Sequence, residues 1–251
     1  MKLPSRKLFI PYFPMGYPTI ETSIDVIEAL AKNGADIIEI GMSFSDPLAD
    51  GPVIQQATQT ALEQGITLEK TLESIAILRD RGVITPLVLM GYYNPLLAYG
   101  LDRFMKRCRQ LQIAGLIIPD LPIEESGELR AELEDIPLIQ MIAPTTPNDR
   151  IAELAPTAGG FIYLVSITGI TGSGNSFSSA LPNLIAAIRT HTSLPICIGF
   201  GINSTQKAKE MGSMADGVIV GSHLIREIGS SPAPAMAAAA LARQFRAALD
   251  N

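Results

Sequence analysis

Short, almost continuously apolar runs recur along this chain, and their regular spacing constrains the fold more than any other feature. Runs that are apolar at nearly every position are typical of parallel strands covered by helices. Strands with one solvent-exposed face instead alternate polar and apolar residues. The sequence therefore predicts a mainly parallel sheet. The eight predicted strands are residues 8–13, 36–40, 86–90, 115–118, 138–142, 161–165, 195–199 and 217–220.

Most intervals between these runs have apolar residues at helical spacing, so strand and helix alternate. Eight strand and helix units in 251 residues predict an α/β fold, a (β/α)8 TIM barrel, with residues 1–251 forming one domain. A doubly wound open sheet is the structural alternative, but it ordinarily uses fewer strands. No G-x-G-x-x-G motif follows the first run, since residues 13–16 read Phe-Pro-Met-Gly. The predicted helices are residues 23–32, 53–64, 68–81, 101–111, 124–133, 181–189 and 205–211, with Thr67 as an N-cap.

Composition narrows the classes of function. A hydrophobic content of 47% supplies a core and argues against disorder. Acidic residues outnumber basic ones by 25 to 19 and the basic ones are scattered, which disfavours nucleic-acid binding. No apolar segment approaches the ~20 residues of a membrane span, so we expect a cytoplasmic protein. The two cysteines and two histidines have no metal-ligand spacing, and we expect no metal site.

Small residues follow three neighbouring strands at the end of the barrel where active sites lie. Gly172 follows the sixth predicted strand, Gly201 the seventh, and Gly221 with Ser222 the eighth. Glycine lets the backbone approach a ligand closely, and free backbone N–H groups before a helix bind anions. These four residues predict a phosphate site that needs no lysine or arginine.

Glu39 is the most unusual residue of the predicted strands because isoleucines flank it on both sides. A buried carboxylate without a partner is costly, so Glu39 either pairs with a cation inside the barrel or acts as a general acid whose pKa burial has raised. Asp46 and Asp50 lie in the loop that follows. Either aspartate could be only a turn former or a helix cap.

Glu39-Ile-Gly41, followed at residues 44–55 by Phe-Ser-Asp-Pro-Leu-Ala-Asp-Gly-Pro-Val-Ile-Gln, resembles the signature of the tryptophan synthase α chain family. Further segments occur in that family's order from residue 9 to residue 222, among them 92–95, 119–122, 166–172 and 199–202. The resemblance implies retro-aldol cleavage of indole-3-glycerol phosphate to indole and glyceraldehyde 3-phosphate. It also implies an α2β2 tetramer with a β chain that carries pyridoxal phosphate, and no cofactor in this chain.

The resemblance also assigns roles to residues. Glu39 would protonate C3 of the indole ring, and Asp50 would stabilise the positive charge that develops at the ring nitrogen. We also expect the loops after strands two and six to be mobile, the second of them because the glycines and serines of residues 169–179 offer few apolar contacts. The other residues that would contact the substrate or shape its pocket are Tyr12, Tyr92, Asn94, Tyr163, Thr171 and Ile202.

Two positions depart from the family pattern, which commonly has Pro where Ser43 stands and Asp where Tyr17 stands. Both lie in loops that the family uses to dock the β chain, so they bear on partner affinity.

Four other functions stay open. A Schiff-base aldolase would need a lysine within a strand, and none is present. The remaining three are a phosphosugar isomerase, a noncatalytic regulatory barrel that binds phosphate, and a freestanding lyase that releases indole.

Overall fold

Eight parallel strands form a barrel, and helices surround it. The computed structural model describes residues 3–165, 176–199 and 201–251, apart from the side chains of residues 176–180. The strands are β1 Leu8–Pro14, β2 Ile38–Gly41, β3 Leu87–Met90, β4 Ile113–Ile117, β5 Gln140–Ile142, β6 Ile162–Val165, β7 Ile196–Gly199 and β8 Gly217–Val220.

Hydrogen bonding between neighbouring strands runs in the order β4-β3-β2-β1-β8-β7-β6-β5. A parallel bridge between Leu116 and Leu138 then brings β4 beside the segment that leads into β5. The predicted (β/α)8 barrel is therefore confirmed, and the doubly wound alternative is wrong. Each of the eight apolar runs overlaps one strand, because residues of this kind are buried on both faces of the sheet.

The helices occupy the intervals between strands, and every predicted helical segment overlaps one of them. The predicted helix at 124–133 begins too early, since Ile123–Glu125 is a 3-10 turn and the Ser126 hydroxyl donates to the Ile123 carbonyl at 2.7 Å. The sequence did not predict the helices at residues 93–99, 148–154, 222–229 and 234–250. The helices are α1 Ile20–Lys32, α2 Pro52–Glu63, α3 Leu68–Asp80, α4 Tyr93–Tyr99, α5 Leu101–Gln110, α6 Gly127–Leu133, α7 Asn148–Leu154, α8 Ser176–Arg189, α9 Thr205–Met214, α10 Ser222–Gly229 and α11 Pro234–Asp250.

Hydroxyl side chains fix where several of these helices begin. Thr67 accepts a hydrogen bond from the backbone N–H of Lys70 at 3.2 Å, which confirms the predicted N-cap of α3. Ser204 caps α9 in the same way through the N–H of Lys207.

Within the described residues, no helix is both long enough and apolar enough to cross a bilayer.

A buried carboxylate joins three parts of the chain at the N-terminal end of the barrel. The Asp36 side chain is 2% exposed and accepts hydrogen bonds from Arg6, from Arg246 of α11 and from the backbone N–H of Phe9, at 2.7 to 2.9 Å. Arg246 is itself only 10% exposed. Because the Asp36 charge is removed from water, it depends on these cations for compensation, whereas Arg246 also pairs with the 47% exposed Asp250 at 2.8 Å.

We expect Asp36→Asn to lower the free energy of unfolding by roughly 2–3 kcal/mol, because the buried Arg246 then keeps only the half-exposed Asp250, at 2.8 Å, as a charged partner. Urea denaturation measures the change. Asp25→Asn is the matched control, since Asp25 pairs with Arg81 at 2.7 Å but is 53% exposed, and its loss should cost less than about 1 kcal/mol. Equal losses in the two variants would contradict the role given to Asp36.

Candidate active site

A cavity of about 480 Å³ opens at the C-terminal end of the barrel strands. This size accommodates a small organic ligand. Residues within five strands, namely β1, β2, β3, β6 and β8, reach it together with residues that follow β2, β7 and β8. The cavity brings together eight residues that were predicted as site residues, namely Tyr12, Glu39, Asp50, Tyr163, Gly201, Ile202, Gly221 and Ser222.

Glu39 points into this cavity from the centre of β2, and it is 1% exposed. Neither carboxylate oxygen has a hydrogen-bond partner, and no cation among the described residues pairs with it. Burial, with a smaller contribution from the nearby Asp50 charge, raises the pKa of Glu39 to about 8. The structure therefore disfavours an ion-pair role for Glu39 and provides a neutral acid at pH 7.

Asp50 lies in the loop between β2 and α2 and also faces the cavity. Burial raises its pKa to about 6, while a hydrogen bond from the Tyr92 hydroxyl to Oδ2, at 3.1 Å, acts in the opposite direction. The Tyr92 oxygen also accepts from the backbone N–H of Ala49 at 3.0 Å. Tyr92 thus holds the loop through two contacts and leaves Asp50 mainly ionised at pH 7.

The two carboxyl groups consequently differ in protonation state. Glu39 keeps its proton at neutral pH, whereas Asp50 has lost its own. Paired carboxyl groups whose surroundings separate their pKa values are the usual means of placing an acid and a fixed negative charge in one site. The arrangement can donate a proton to a substrate and stabilise positive charge close to the place where that proton arrives.

Two tyrosines complete the deep part of the cavity, and two glycines make room for them. Burial raises the pKa of Tyr12 and of Tyr163 well above the usual value, so both hydroxyls stay neutral. A Cβ atom at Gly41 would lie 2.3 Å from the Tyr12 oxygen, and one at Gly199 would lie 2.4 Å from the Tyr163 oxygen. Only glycine fits at either position while the ring stays in place.

The opposite side of the cavity is built from helix starts. Gly221 precedes α10, and no side chain caps that end in the described residues. The backbone N–H groups of the first turn are therefore available to an anion, with the Ser222 hydroxyl beside them. Gly201 has a φ of +71°, a conformation that favours glycine. In the strand order, β1 lies between β2, which carries Glu39, and β8, which leads into Gly221.

Two predicted site residues do not line the cavity, and two others lie outside the described residues. Tyr92 lies behind Asp50 and acts through it. Asn94 is exposed, because it is the second residue of α4 and faces outward. Thr171 and Gly172 lie outside the described residues, as does most of the loop predicted to be mobile after β6.

The structure shows what surrounds Tyr17 and Ser43, the two positions that depart from the family pattern. The Tyr17 ring packs beside the Phe13 ring, with centroids 6.1 Å apart, and its hydroxyl lies against Gly229 of α10. The Ser43 hydroxyl is buried without a hydrogen-bond partner. Tyr17 is therefore a packing residue of the loop after β1.

Several cavity residues were missed by the sequence reading. The apolar ones, such as Ile54 and Met90, look like ordinary core residues in the sequence. Lys207 on α9 and Arg226 on α10 were not predicted, because the expected site residues lie at the strand ends and these two lie on the helices that follow. Spacing is the signal that could have found Arg226, since it lies four residues after Ser222 on the same helix.

Lys207 bears on the Schiff-base aldolase alternative, because it is a lysine that does reach the cavity. It lies on a helix and not on a strand, its side chain is 32% exposed, and it forms an ion pair with Glu210 at 3.0 Å. An amine nucleophile is ordinarily desolvated, and Lys207 is not.

Within the described residues, no group of three or more His, Cys, Asp or Glu side chains could hold a metal ion.

The fold and the cavity define a class of protein, a (β/α)8 barrel with an acid-base site at its mouth. Comparison with known proteins is more specific. The family model described as "Tryptophan synthase alpha chain" matches residues 1–249. The chain belongs to the tryptophan synthase α chain family, whose members cleave indole-3-glycerol phosphate as lyases in tryptophan biosynthesis.

Individual relatives agree with this assignment. The tryptophan synthase α chain of Roseiflexus castenholzii is 46% identical over 233 residues, which cover 92% of this chain and 89% of that protein. The α chain of Chloroflexus aggregans is 48% identical over 225 residues, covering 88% and 83%. The structure of the tryptophan synthase α subunit from Campylobacter jejuni superposes with a TM-score of 0.88 at 36% identity and covers 97% of each chain.

Proposed function

We propose that Glu39 carries both proton transfers of the cleavage of indole-3-glycerol phosphate. Protonated Glu39 donates to C3 of the indole ring, which turns the ring into a leaving group for carbon-carbon bond cleavage. The carboxylate so formed then accepts the proton of the glycerol hydroxyl as the aldehyde forms, and Glu39 regains its starting state. The observation that supports this proposal best is a pair of cavity carboxyl groups with pKa values of about 8 and about 6.

Asp50 has the complementary role in this proposal. Protonation at C3 places positive charge on the ring nitrogen, and an anionic carboxylate stabilises that charge more than it stabilises the neutral substrate. The Tyr92 hydroxyl and the Ala49 N–H support the assignment, because they hold the Asp50 loop in place before substrate binds.

Substrate binding divides between the two sides of the cavity. Tyr12, Tyr163 and Ile202 would contact the indole or glycerol part, and Gly201, Gly221 and Ser222 would bind the phosphate. Roles for Thr171, Gly172 and Asn94 stay predictions, since two of these residues lie outside the described part and the third is exposed.

The family works with a β chain, and its pyridoxal phosphate sits in that partner. We extend this to an α2β2 tetramer, in a cytoplasmic enzyme whose residues 1–251 form one barrel domain. Closure of the loops after β2 and β6 would couple β-chain binding to activity. Ser43 in the loop after β2 is the position where this coupling would differ from relatives that have Pro there.

The experiment that tests the proposal is an assay of indole release by the purified chain, first alone and then with a saturating β chain. We expect weak activity alone and a marked increase with the partner. Unchanged release would support a freestanding lyase. Absence of cleavage under both conditions, with retained binding of glycerol 3-phosphate, would support a noncatalytic regulatory barrel.

We expect a bell-shaped dependence of kcat on pH, with limbs near the two carboxyl pKa values. Above about pH 8 Glu39 loses the proton it must donate, and below about pH 6 Asp50 gains a proton and loses its charge. Steady-state assays between pH 5 and pH 9.5 measure the profile, roughly bracketing both values. A substrate phosphate also titrates with a pKa of about 6, so Asp50→Asn is the control, and an acid limb that survives in it does not belong to Asp50.

A further inference from the structure

Two cations line the side of the cavity where helices α9 and α10 begin, although the sequence analysis predicted a phosphate site without lysine or arginine. They are Lys207 and Arg226, and they face the same space as Gly201 and Ser222. The carboxyl groups of the cavity come from β2 and the loop after it. The cavity therefore has an acidic side and a cationic side.

Lys207 contributes little net charge to the cationic side. Its ammonium group is 3.0 to 3.1 Å from the two carboxylate oxygens of Glu210, one turn further along α9. An anion bound in the cavity would compete with this carboxylate for the lysine.

Arg226 differs from Lys207 because it forms no ion pair with any described residue. It follows Ser222 by four residues, so the two side chains lie on the same face of α10. Side chains on a helix lean toward its N-terminus and cover the preceding turn. Arg226 and Ser222 both line the cavity, on the side where the uncapped first turn of α10 lies.

His223, the other basic side chain at this end, does not supply charge at neutral pH. It is partly buried, and its ring packs edge-on against Phe245 with centroids 5.8 Å apart. Burial is the main reason that its pKa falls below the usual value. Arg226 is thus the cation of this cavity that is charged and has no carboxylate partner in the described part of the chain.

We propose that Arg226 is a substrate-binding residue that recognises the phosphate group of the substrate. The inference rests on the proposed function, which places that phosphate at Gly201, Gly221 and Ser222. The planar guanidinium group donates two parallel hydrogen bonds to phosphate oxygens, a geometry that an ammonium group cannot reproduce. Arg226 adds charge to a cradle that otherwise consists of backbone N–H groups and one hydroxyl.

This position predicts an effect on binding and not on chemistry. The substrate phosphate does not change its charge during carbon-carbon cleavage, so Arg226 stabilises ground state and transition state equally. Its removal should raise KM and leave kcat unchanged. The contact is exposed to solvent, which limits its size and makes it sensitive to salt.

The test is calorimetric titration of the full-length chain with glycerol 3-phosphate, and with indole as a probe that has no phosphate. We expect Arg226→Gln to weaken glycerol 3-phosphate binding about fivefold and to leave indole binding unchanged. Arg226→Lys should recover part of the loss, because it restores the charge without the planar fork. Rising ionic strength should weaken binding in the parent more than in Arg226→Gln.

Lys209→Gln is the matched control, since it removes the same charge from an exposed position on α9 outside the cavity. The proposal is overturned if Arg226→Gln binds glycerol 3-phosphate as tightly as the parent, if indole binding falls equally, or if Lys209→Gln has the same effect. It is also overturned if Arg226→Lys recovers nothing. A parent that cleaves indole-3-glycerol phosphate with an unchanged KM in Arg226→Gln refutes this inference alone, whereas a parent without cleavage refutes the proposed function.

Discussion

Glu39→Gln is expected to lower the turnover of indole-3-glycerol phosphate by roughly two to four orders of magnitude while ligand affinity is retained. Glutamine keeps the size of the side chain and its position on β2 but cannot exchange the proton that cleavage requires. Both Glu39 oxygens are buried without partners, so no internal hydrogen bond has to be broken when the amide replaces the acid. The measurement is single-turnover indole release, together with calorimetric binding of glycerol 3-phosphate.

Asp46→Asn is the matched control for this variant. Asp46 lies in the loop after β2, but it is exposed and its only described side-chain contact is the hydroxyl of Ser45 at 2.9 Å. The isolated chain should therefore keep its chemical step in this variant. Parental turnover in Glu39→Gln would show that the acid-base assignment is wrong, however closely the surrounding motif matches the family.

Asp50→Asn should lower turnover by about two to three orders of magnitude through the loss of one negative charge. The amide oxygen can still accept the Tyr92 hydrogen bond, so the loop keeps its main contact and the change is chiefly electrostatic. Single-turnover indole release and the binding of glycerol 3-phosphate separate the chemical step from affinity.

Tyr92→Phe serves as the control for Asp50, because it keeps the carboxyl group and removes the hydrogen bond that lowers its pKa. Its effect should be smaller than that of Asp50→Asn, since the carboxylate still faces the cavity. A larger loss in Tyr92→Phe would show that loop position, and not the charge of Asp50, limits the reaction.

The barrel and its acid were predictable from the sequence because both depend on local patterns. Apolar runs record burial on both faces of a sheet, and a carboxyl group inside such a run stands out at once. The protonation states of Glu39 and Asp50 were harder to predict from the sequence. They depend on which groups face Glu39 across the barrel, and no local pattern records that Asp50 is near it while every described cation is too far away to pair.

Contacts that depend on three-dimensional placement explain the remaining differences. Tyr92 was predicted to touch the substrate, but its hydroxyl reaches Asp50, which is 42 residues earlier in the chain. Asn94 belongs to the same motif and yet faces outward, because α4 begins at Tyr93 and turns the next side chain away from the cavity. Arg226 was not predicted, because it lies on α10, a helix that the sequence pattern did not reveal.

The unpartnered carboxyl group of Glu39 has a consequence for attempts to improve this protein. A buried acid without hydrogen bonds lowers the stability of the fold, and a well-packed apolar side chain of similar volume would raise it. Directed evolution for heat resistance alone would therefore tend to discard this residue early and enrich folded, inactive variants. Libraries built on this barrel need a growth selection that requires indole, so that thermal tolerance is gained elsewhere in the chain.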